Sequence, residues 1–226
     1  MNLLLIAVLL LLVGLSVWAG ARVKQTFHQY NQVPLRSGLS GAQVAQWILE
    51  ASGIHDVRIQ AVPGMLSDHY DPRRRIVALS PEVLNGRTPA AAAVAAHEVG
   101  HALQHAHGYG PMQTRDQLVP AVNFASQLAI PMILLGAFTH AMGLVWVGVI
   151  AFGIAVVFHL VTLPVEFDAS RRAIRILEQS GIAAVDEMPG VRKTLYAAGF
   201  TYLAAALVAV VQLLMFLLPL LGGRDE

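Results

Sequence analysis

Four apolar stretches punctuate the chain: Leu3 to Ala19, about Leu118 to Phe138, about Met142 to Leu163, and Leu203 to Leu221. A bilayer core of about 30 Å takes roughly 20 helical residues, so each stretch is predicted to cross a membrane as a helix. The second and third are separated only by a few residues around His140, which makes them a helical hairpin. Pro120, Pro131 and Gly136 interrupt the second; a proline survives there when neighbouring helices satisfy the freed carbonyl. Gly136, Gly143, Gly148 and Gly153 allow close packing between spans. His159 lies within the third span and is expected to face protein or water, in an interhelical hydrogen bond. Ala19-Gly20-Ala21 looks like a signal-peptide cleavage site, but no basic residue precedes the first stretch, and an uncleaved anchor is expected.

Between the first two spans the periodicity changes. From Val23 to Thr114 the pattern is that of a small folded segment. Val44, Ile48 and Leu49 recur at helical spacing within Gly38 to Gly53, with Ser40 placed to cap. Val57 to Val62 alternates as a short strand and ends in the Pro63-Gly64 turn. Ser67 to Pro72 reads as a polar turn, and Arg75 to Ser80 as a second strand. Ser80-Pro81-Glu82 starts a short helix, and Thr88 caps the next one, with Pro89 at its first position. An alanine run then carries that helix toward Gly108 and Gly110-Pro111. The predicted order is helix, strand, strand, helix. The expected fold is mainly α: a multi-pass helical membrane protein of about four transmembrane helices, carrying a small α+β domain. The expected segments are an anchor at 1–21, the folded domain at 22–116, the hairpin at 117–163, a helical segment at 164–197 and a last span at 198–222.

Composition agrees with this division. Hydrophobic residues make up 56% of the chain and charged ones only 13%, a membrane-protein balance. A net charge of +1 gives no reason to expect a nucleic-acid partner. The absence of cysteine excludes disulfides and thiolate metal sites, so any metal must be held by His and carboxylate. The basic residues are sorted. Arg22, Lys24, Arg36, Arg58, Arg73, Arg74, Arg75, Arg87 and Arg115 lie between spans one and two. Arg171, Arg172, Arg175, Arg192 and Lys193 lie between spans three and four, leaving only Arg224 elsewhere. The positive-inside rule places both connecting segments in the cytoplasm.

His97-Glu98-Val99-Gly100-His101 forms an HExxH pattern within the alanine-rich helix. Residues i and i+4 share a helix face, so both imidazoles can reach one zinc ion, with Glu98 placed to take a proton from zinc-bound water. Two histidines on an ordinary surface helix are the plainer reading, but Ala91 to Ala96 and Ala102-Leu103 are too apolar for it. Buried histidines and a buried carboxylate require partners. A catalytic zinc takes three protein ligands and keeps one open position. His105 lies two turns from His97, about 12 Å along the axis, too far for the same ion on an unbroken helix. His107 has the spacing of HExxHxxGxxH proteases, but Gln104 stands where their turning glycine should be. Glu166, just after the third span at Leu163-Pro164-Val165-Glu166, is the favoured third donor. Its alternative role is that of a first-turn carboxylate stabilised by the helix dipole.

At these residues the chain resembles the membrane zinc metallopeptidases of the YugP type. The matching segments are Ser67-Asp68-His69-Tyr70-Asp71-Pro72, Val94 to Ala102 with Gln104-His105, and Leu163 through Arg172. The resemblance implies a membrane-bound, zinc-dependent endopeptidase of gluzincin-like type, with His97, His101 and Glu166 as ligands and Glu98 as the catalytic base. The chain is more distantly similar to HtpX-type membrane proteases, in which an aspartate follows the glutamate by four residues; here Ser170 stands in that place. Ser170, Asp168 and Arg172 are candidates to support the ligands, and His69, Tyr70 and His105 are candidates to stabilise the oxyanion. The strand Arg75 to Ser80 is a candidate for pairing with an extended substrate, and Arg73-Arg74-Arg75 for a solvated or headgroup-facing patch. The expected partners are the lipid bilayer and a peptide or protein substrate, in particular membrane or juxtamembrane segments. Two other readings stand beside this one: an intramembrane protease of the site-2 type, and a membrane assembly or chaperone protein with a structural zinc.

Overall fold

The computed structural model describes residues 3–222. Arg224 lies outside the described residues. The elements in chain order are α1 (Leu3–Tyr30), α2 (Gly41–Ala51), β1 (Arg58–Ala61), β2 (His69–Asp71), β3 (Ile76–Leu79), α3 (Pro81–Asn85), α4 (Pro89–Ala106), α5 (Gly110–Phe138), α6 (Met142–Gln179) and α7 (Met188–Gly222). The protein is mainly α-helical and multi-pass, with four helices (α1, α5, α6 and α7) long and apolar enough to cross a membrane. Each runs beyond the apolar stretch that marks it in the sequence. α1 continues to Tyr30, α5 already starts at Gly110, and α7 starts at Met188. Polar helix ends cost little outside a bilayer, so hydropathy locates the spans and not the helix termini.

Two compact units divide the chain. One comprises the stretch up to Ser16, Gly110–Pro164 and the stretch from Tyr202 onward; the other comprises Val17–Tyr109 and Val165–Thr201. Within the first, α5 and α6 form the expected hairpin, turning at His140, which adopts a positive φ of 55°. Two glycines make the crossing close. A Cβ on Gly136 would lie 2.6 Å from the Val145 nitrogen, and one on Gly148 would lie 2.6 Å from the Ala129 oxygen. Gly143 and Gly153 have open space beside them and do not serve the contact. Ala125, Ala129 and Ala151 are buried at the same interface, with Phe152 and Ile154 packed against them.

The second unit is built on α4. Thr88 caps it: the hydroxyl accepts from the Ala91 amide at 3.1 Å, and Pro89 occupies the first turn. Every residue from Ala90 to Gln104 except Val94 is buried, because a run of alanines offers little side-chain volume and lets neighbours approach on all sides. α2 packs on α4 through Val44, Ala45, Ile48 and Leu49, and begins with a full capping box between Ser40 and Gln43. Gly41 is needed at that start, since a Cβ there would meet the Val83 carbonyl oxygen at 2.1 Å.

The sheet differs from the sequence expectation. It has three strands in the order β1-β3-β2, with β1 parallel and β2 antiparallel to β3. Ser67 to Pro72 is therefore not only a turn, since His69–Asp71 pairs with Ile76–Ala78. Three residues are too few to display alternation, so this strand is specified by its partner rather than by its own pattern. The pairing also removes β3 as an edge for substrate. All four of its residues are buried and both its sides are occupied, which leaves β1 and β2 as the outer strands. Arg73 and Arg74 donate their amides to the Asp71 carboxylate in the connecting turn, and Arg75 pairs with Asp56.

Candidate metal centre

Three side chains from two helices converge within the second unit. α4 carries His97 and His101 on one face, as the i, i+4 spacing requires; their rings lie 4.7 Å apart, centroid to centroid, and nearly perpendicular. α6 carries Glu166. Its Oε2 lies 3.2 Å from His97 Nε2 and 3.5 Å from His101 Nε2. One donor atom from each of the three residues lies within 4.8 Å of the others, and all three residues are buried. Glu166 is not in a first helical turn. α6 runs unbroken from Met142 through Pro164 to Gln179, so the helix-dipole reading of this carboxylate does not apply.

The approach of the two helices depends on the fourth residue of HExxH. A Cβ on Gly100 would lie 2.8 Å from the Ala169 carbonyl oxygen and 3.2 Å from its Cα. Glycine at this position lets the α6 backbone come close enough for Glu166 to meet both imidazoles.

The outer nitrogens of both rings are also engaged. His97 Nδ1 lies 3.1 Å from Ser170 Oγ, and His101 Nδ1 lies 3.0 Å from Gln104 Oε1. Gln104, fully buried, donates its amide nitrogen to the Val165 carbonyl at 2.8 Å and to Asp168 Oδ2 at 2.9 Å. Asp168 in turn pairs with Arg172, whose guanidinium lies over the Tyr109 ring. In the sequence, Gln104 is conspicuous only as the residue that replaces a turning glycine; its lack of exposure and its contact with His101 appear only when α4 packs on α6.

The electrostatics follow from burial. Desolvation pushes the Glu98 carboxyl above its ordinary range, against the pull of His97 and His101, with Glu166 and Asp68 adding to the rise. Burial disfavours the charged form of His101, but its hydrogen bond to Glu166 and the negative charges of Glu166 and Glu98 outweigh that, and its pKa lies above the ordinary value. Asp68 is likewise raised by burial, although it accepts from the Ser80 amide at 2.7 Å and from the Ser80 hydroxyl at 3.1 Å.

The remaining candidates are not among the three donors. Tyr70 and His105 hold each other, hydroxyl to Nδ1, at 2.8 Å. His69 is exposed, with its Nδ1 bonded to the Ser67 carbonyl at 2.8 Å. His107 is the C-cap of α4 and is exposed. Neither His105 nor His107 joins the three-donor group.

The donor set fits a zinc ion. Two imidazoles and one carboxylate are ordinary zinc donors, all three are buried, and the far side of each ring is already held. Four helices long and apolar enough to cross a membrane, and a buried group of two histidines and a glutamate that could hold zinc, define the class: a multi-pass membrane protein with a candidate zinc site. Residues 4–220 match the family described as "Putative neutral zinc metallopeptidase", and the chain belongs to that family. It is 48% identical over 213 residues to the "Putative membrane protease YugP" of Bacillus subtilis (strain 168), covering 94% of this chain and 95% of that protein. No solved structure matches the chain at a significant level. Zinc is the metal of the family, and the protein is a membrane protein.

Proposed function

We propose that the protein is a zinc-dependent endopeptidase in which His97, His101 and Glu166 hold the metal and Glu98 is the catalytic base. The observation that carries this reading is the convergence of both Nε2 atoms on Glu166 Oε2, at 3.2 and 3.5 Å, in a buried site. When bound, zinc supplies Lewis acidity that makes water a nucleophile near neutral pH and polarises the substrate carbonyl. His97 and His101 offer neutral Nε2 lone pairs, with Nδ1 of each turned to Ser170 and Gln104. Glu98 takes a proton from the attacking water on its carboxylate and returns it to the departing amine. Burial raises its pKa above the ordinary carboxylate range in the metal-free protein, the direction that strengthens it as a base.

Two observations support catalysis over a structural zinc. Structural sites are closed by four protein ligands, and among the described residues no fourth His, Asp or Glu joins the three. Glu98 is buried beside the ligands at an evident desolvation cost, which a structural site would not require. Substrate pairing belongs to an outer strand, and β2 is favoured because its Tyr70 bonds to His105 on the catalytic helix. The sorting of basic residues into the two connecting segments, above all the short one between spans three and four, supports a cytoplasmic site, and membrane attachment supports membrane or juxtamembrane substrates.

The test is metal content and proteolysis measured together on full-length protein. Wild type holds one zinc per chain and cleaves an unfolded protein, Glu98→Gln keeps zinc and is inactive, and Glu166→Ala loses zinc. Full activity in Glu98→Gln would refute the base assignment, and full zinc in Glu166→Ala would refute the ligand set.

A further inference from the structure

We propose that Gln104 and Asp168 act together as a relayed carboxylate that fixes His101 in its metal-binding tautomer. The proposal rests on the ligand role given to His101 above, and it assigns a positioning function to two residues outside the metal-binding group. In many zinc sites a carboxylate accepts directly from the outer nitrogen of a ligating histidine. Here an amide stands between the two.

The orientation of the Gln104 amide is forced by its partners. The Val165 carbonyl can only accept, and so can an Asp168 carboxylate paired with Arg172; both lie within 3 Å of the same Gln104 atom, at 2.8 and 2.9 Å, and that atom must be the nitrogen. Oε1 therefore faces His101 Nδ1 at 3.0 Å, and an amide oxygen can only accept. His101 must carry a proton on Nδ1, so Nε2 is the ring nitrogen left for a metal; without a metal it is the one that faces Glu166 as a donor. No freedom remains: both amide hydrogens and the oxygen are engaged, and the side chain has no solvent exposure.

The inserted amide changes what the carboxylate can do. A carboxylate in direct contact could take the Nδ1 proton and convert the ring toward an imidazolate. Gln104 cannot take it. Asp168 polarises the amide from its far side and strengthens Oε1 as an acceptor, and the proton stays on Nδ1. Arg172, at 2.6 Å from Asp168 Oδ2, holds the carboxylate in place from the other side. Gln104 also ties the two ligand-bearing helices together, because His101 and Gln104 lie on α4 while Val165, Glu166 and Asp168 lie on α6.

Full-length protein in detergent is compared as wild type, Gln104→Met, Asp168→Asn, Gln104→Glu and the pair Gln104→Glu/Asp168→Asn. Two readouts are taken: the zinc Kd by competition with a chelator, and the His101 ring-nitrogen shifts of metal-free protein at a pH where the ring is singly protonated. Gln104→Met keeps the side-chain length but loses every hydrogen bond, and it weakens zinc binding about 10- to 100-fold with a shift of His101 away from the Nδ1–H form. Asp168→Asn weakens it less, in the same direction. Gln104→Glu sets two carboxylates against each other, and adding Asp168→Asn restores a donor and recovers affinity. An unchanged Kd and tautomer in Gln104→Met overturns the proposal, even if the unfolding temperature falls. Wild-type affinity in Asp168→Asn together with no recovery in the double variant overturns the carboxylate's part. A wild type that binds no zinc refutes the ligand assignment instead, and the nitrogen shifts of the metal-free protein still decide the tautomer.

Discussion

Gly100→Ala should separate the stability of the fold from the assembly of its metal site. The new Cβ would lie 2.8 Å from the Ala169 carbonyl oxygen, about 0.6 Å short of the 3.4 Å at which ordinary van der Waals contact begins. Its other close neighbours, Ala169 Cα at 3.2 Å and C at 3.3 Å, are also backbone, so no side chain can swing aside. Helix α6 must retreat. Overpacking of this kind costs about 1–3 kcal/mol, while alanine in place of glycine inside a helix returns about 1 kcal/mol. The fold should therefore lose at most about 2 kcal/mol. The metal site has far less latitude, since ligand distances tolerate about 0.2 Å. Moving Glu166 by several tenths of an ångström should lower zinc affinity about 10- to 100-fold, the scale found when groups that orient ligands are disturbed. The assay is zinc competition and metal-free unfolding on Gly100→Ala, with Gly20→Ala as the comparison, because nothing lies within 4 Å of a Cβ at Gly20 in α1. Gly20→Ala should leave zinc binding unchanged. Wild-type zinc affinity in Gly100→Ala would refute the claim that this glycine sets the distance between Glu166 and the two histidines.

Further outcomes follow from other residues. In metal-free protein the Glu98 carboxyl titrates above its ordinary value of 4.5, so the folded state holds that proton more tightly than the unfolded state and stability falls as pH rises through that window. Glu98→Gln should remove this component, and an unfolding curve with the same pH slope in both proteins would contradict the burial argument. Thr88→Ala deletes the cap of α4 and should cost about 1 kcal/mol in denaturant titration without altering zinc stoichiometry. Chelation should lower the unfolding temperature of wild type by the binding term, about 2.7 kcal/mol when free zinc is 100 times Kd, and leave that of Glu166→Ala unmoved. The chain has no cysteine, so a single Arg74→Cys variant reports sidedness without background. An impermeant thiol reagent should label it in inside-out vesicles and not in intact cells, and labelling of intact cells would reverse the topology.

Much of this was legible in the residues alone. The four spans are visible because a bilayer demands long runs of apolar side chains, and Ser40, Thr88 and Pro89 mark helix starts because capping is chemistry between neighbours in sequence. His97 and His101 share a face for the same local reason. The strand His69–Asp71 was not legible, since three residues carry no period and only the β3 partner defines them. Nor was the unbroken course of α6: Pro164 resembles a boundary in sequence, and only the surrounding structure carries the helix past it. Glu166 could be named from the sequence as a donor, but its distance to His97 and His101 depends on the contact of Gly100 with Ala169, 69 residues further on. Gln104 shows the division most clearly. Its sequence position says only that a turning glycine is missing, while its three hydrogen bonds to His101, Val165 and Asp168 exist because two helices pack face to face. Local pattern determines what forms; the convergence of side chains that are distant in sequence is decided by packing.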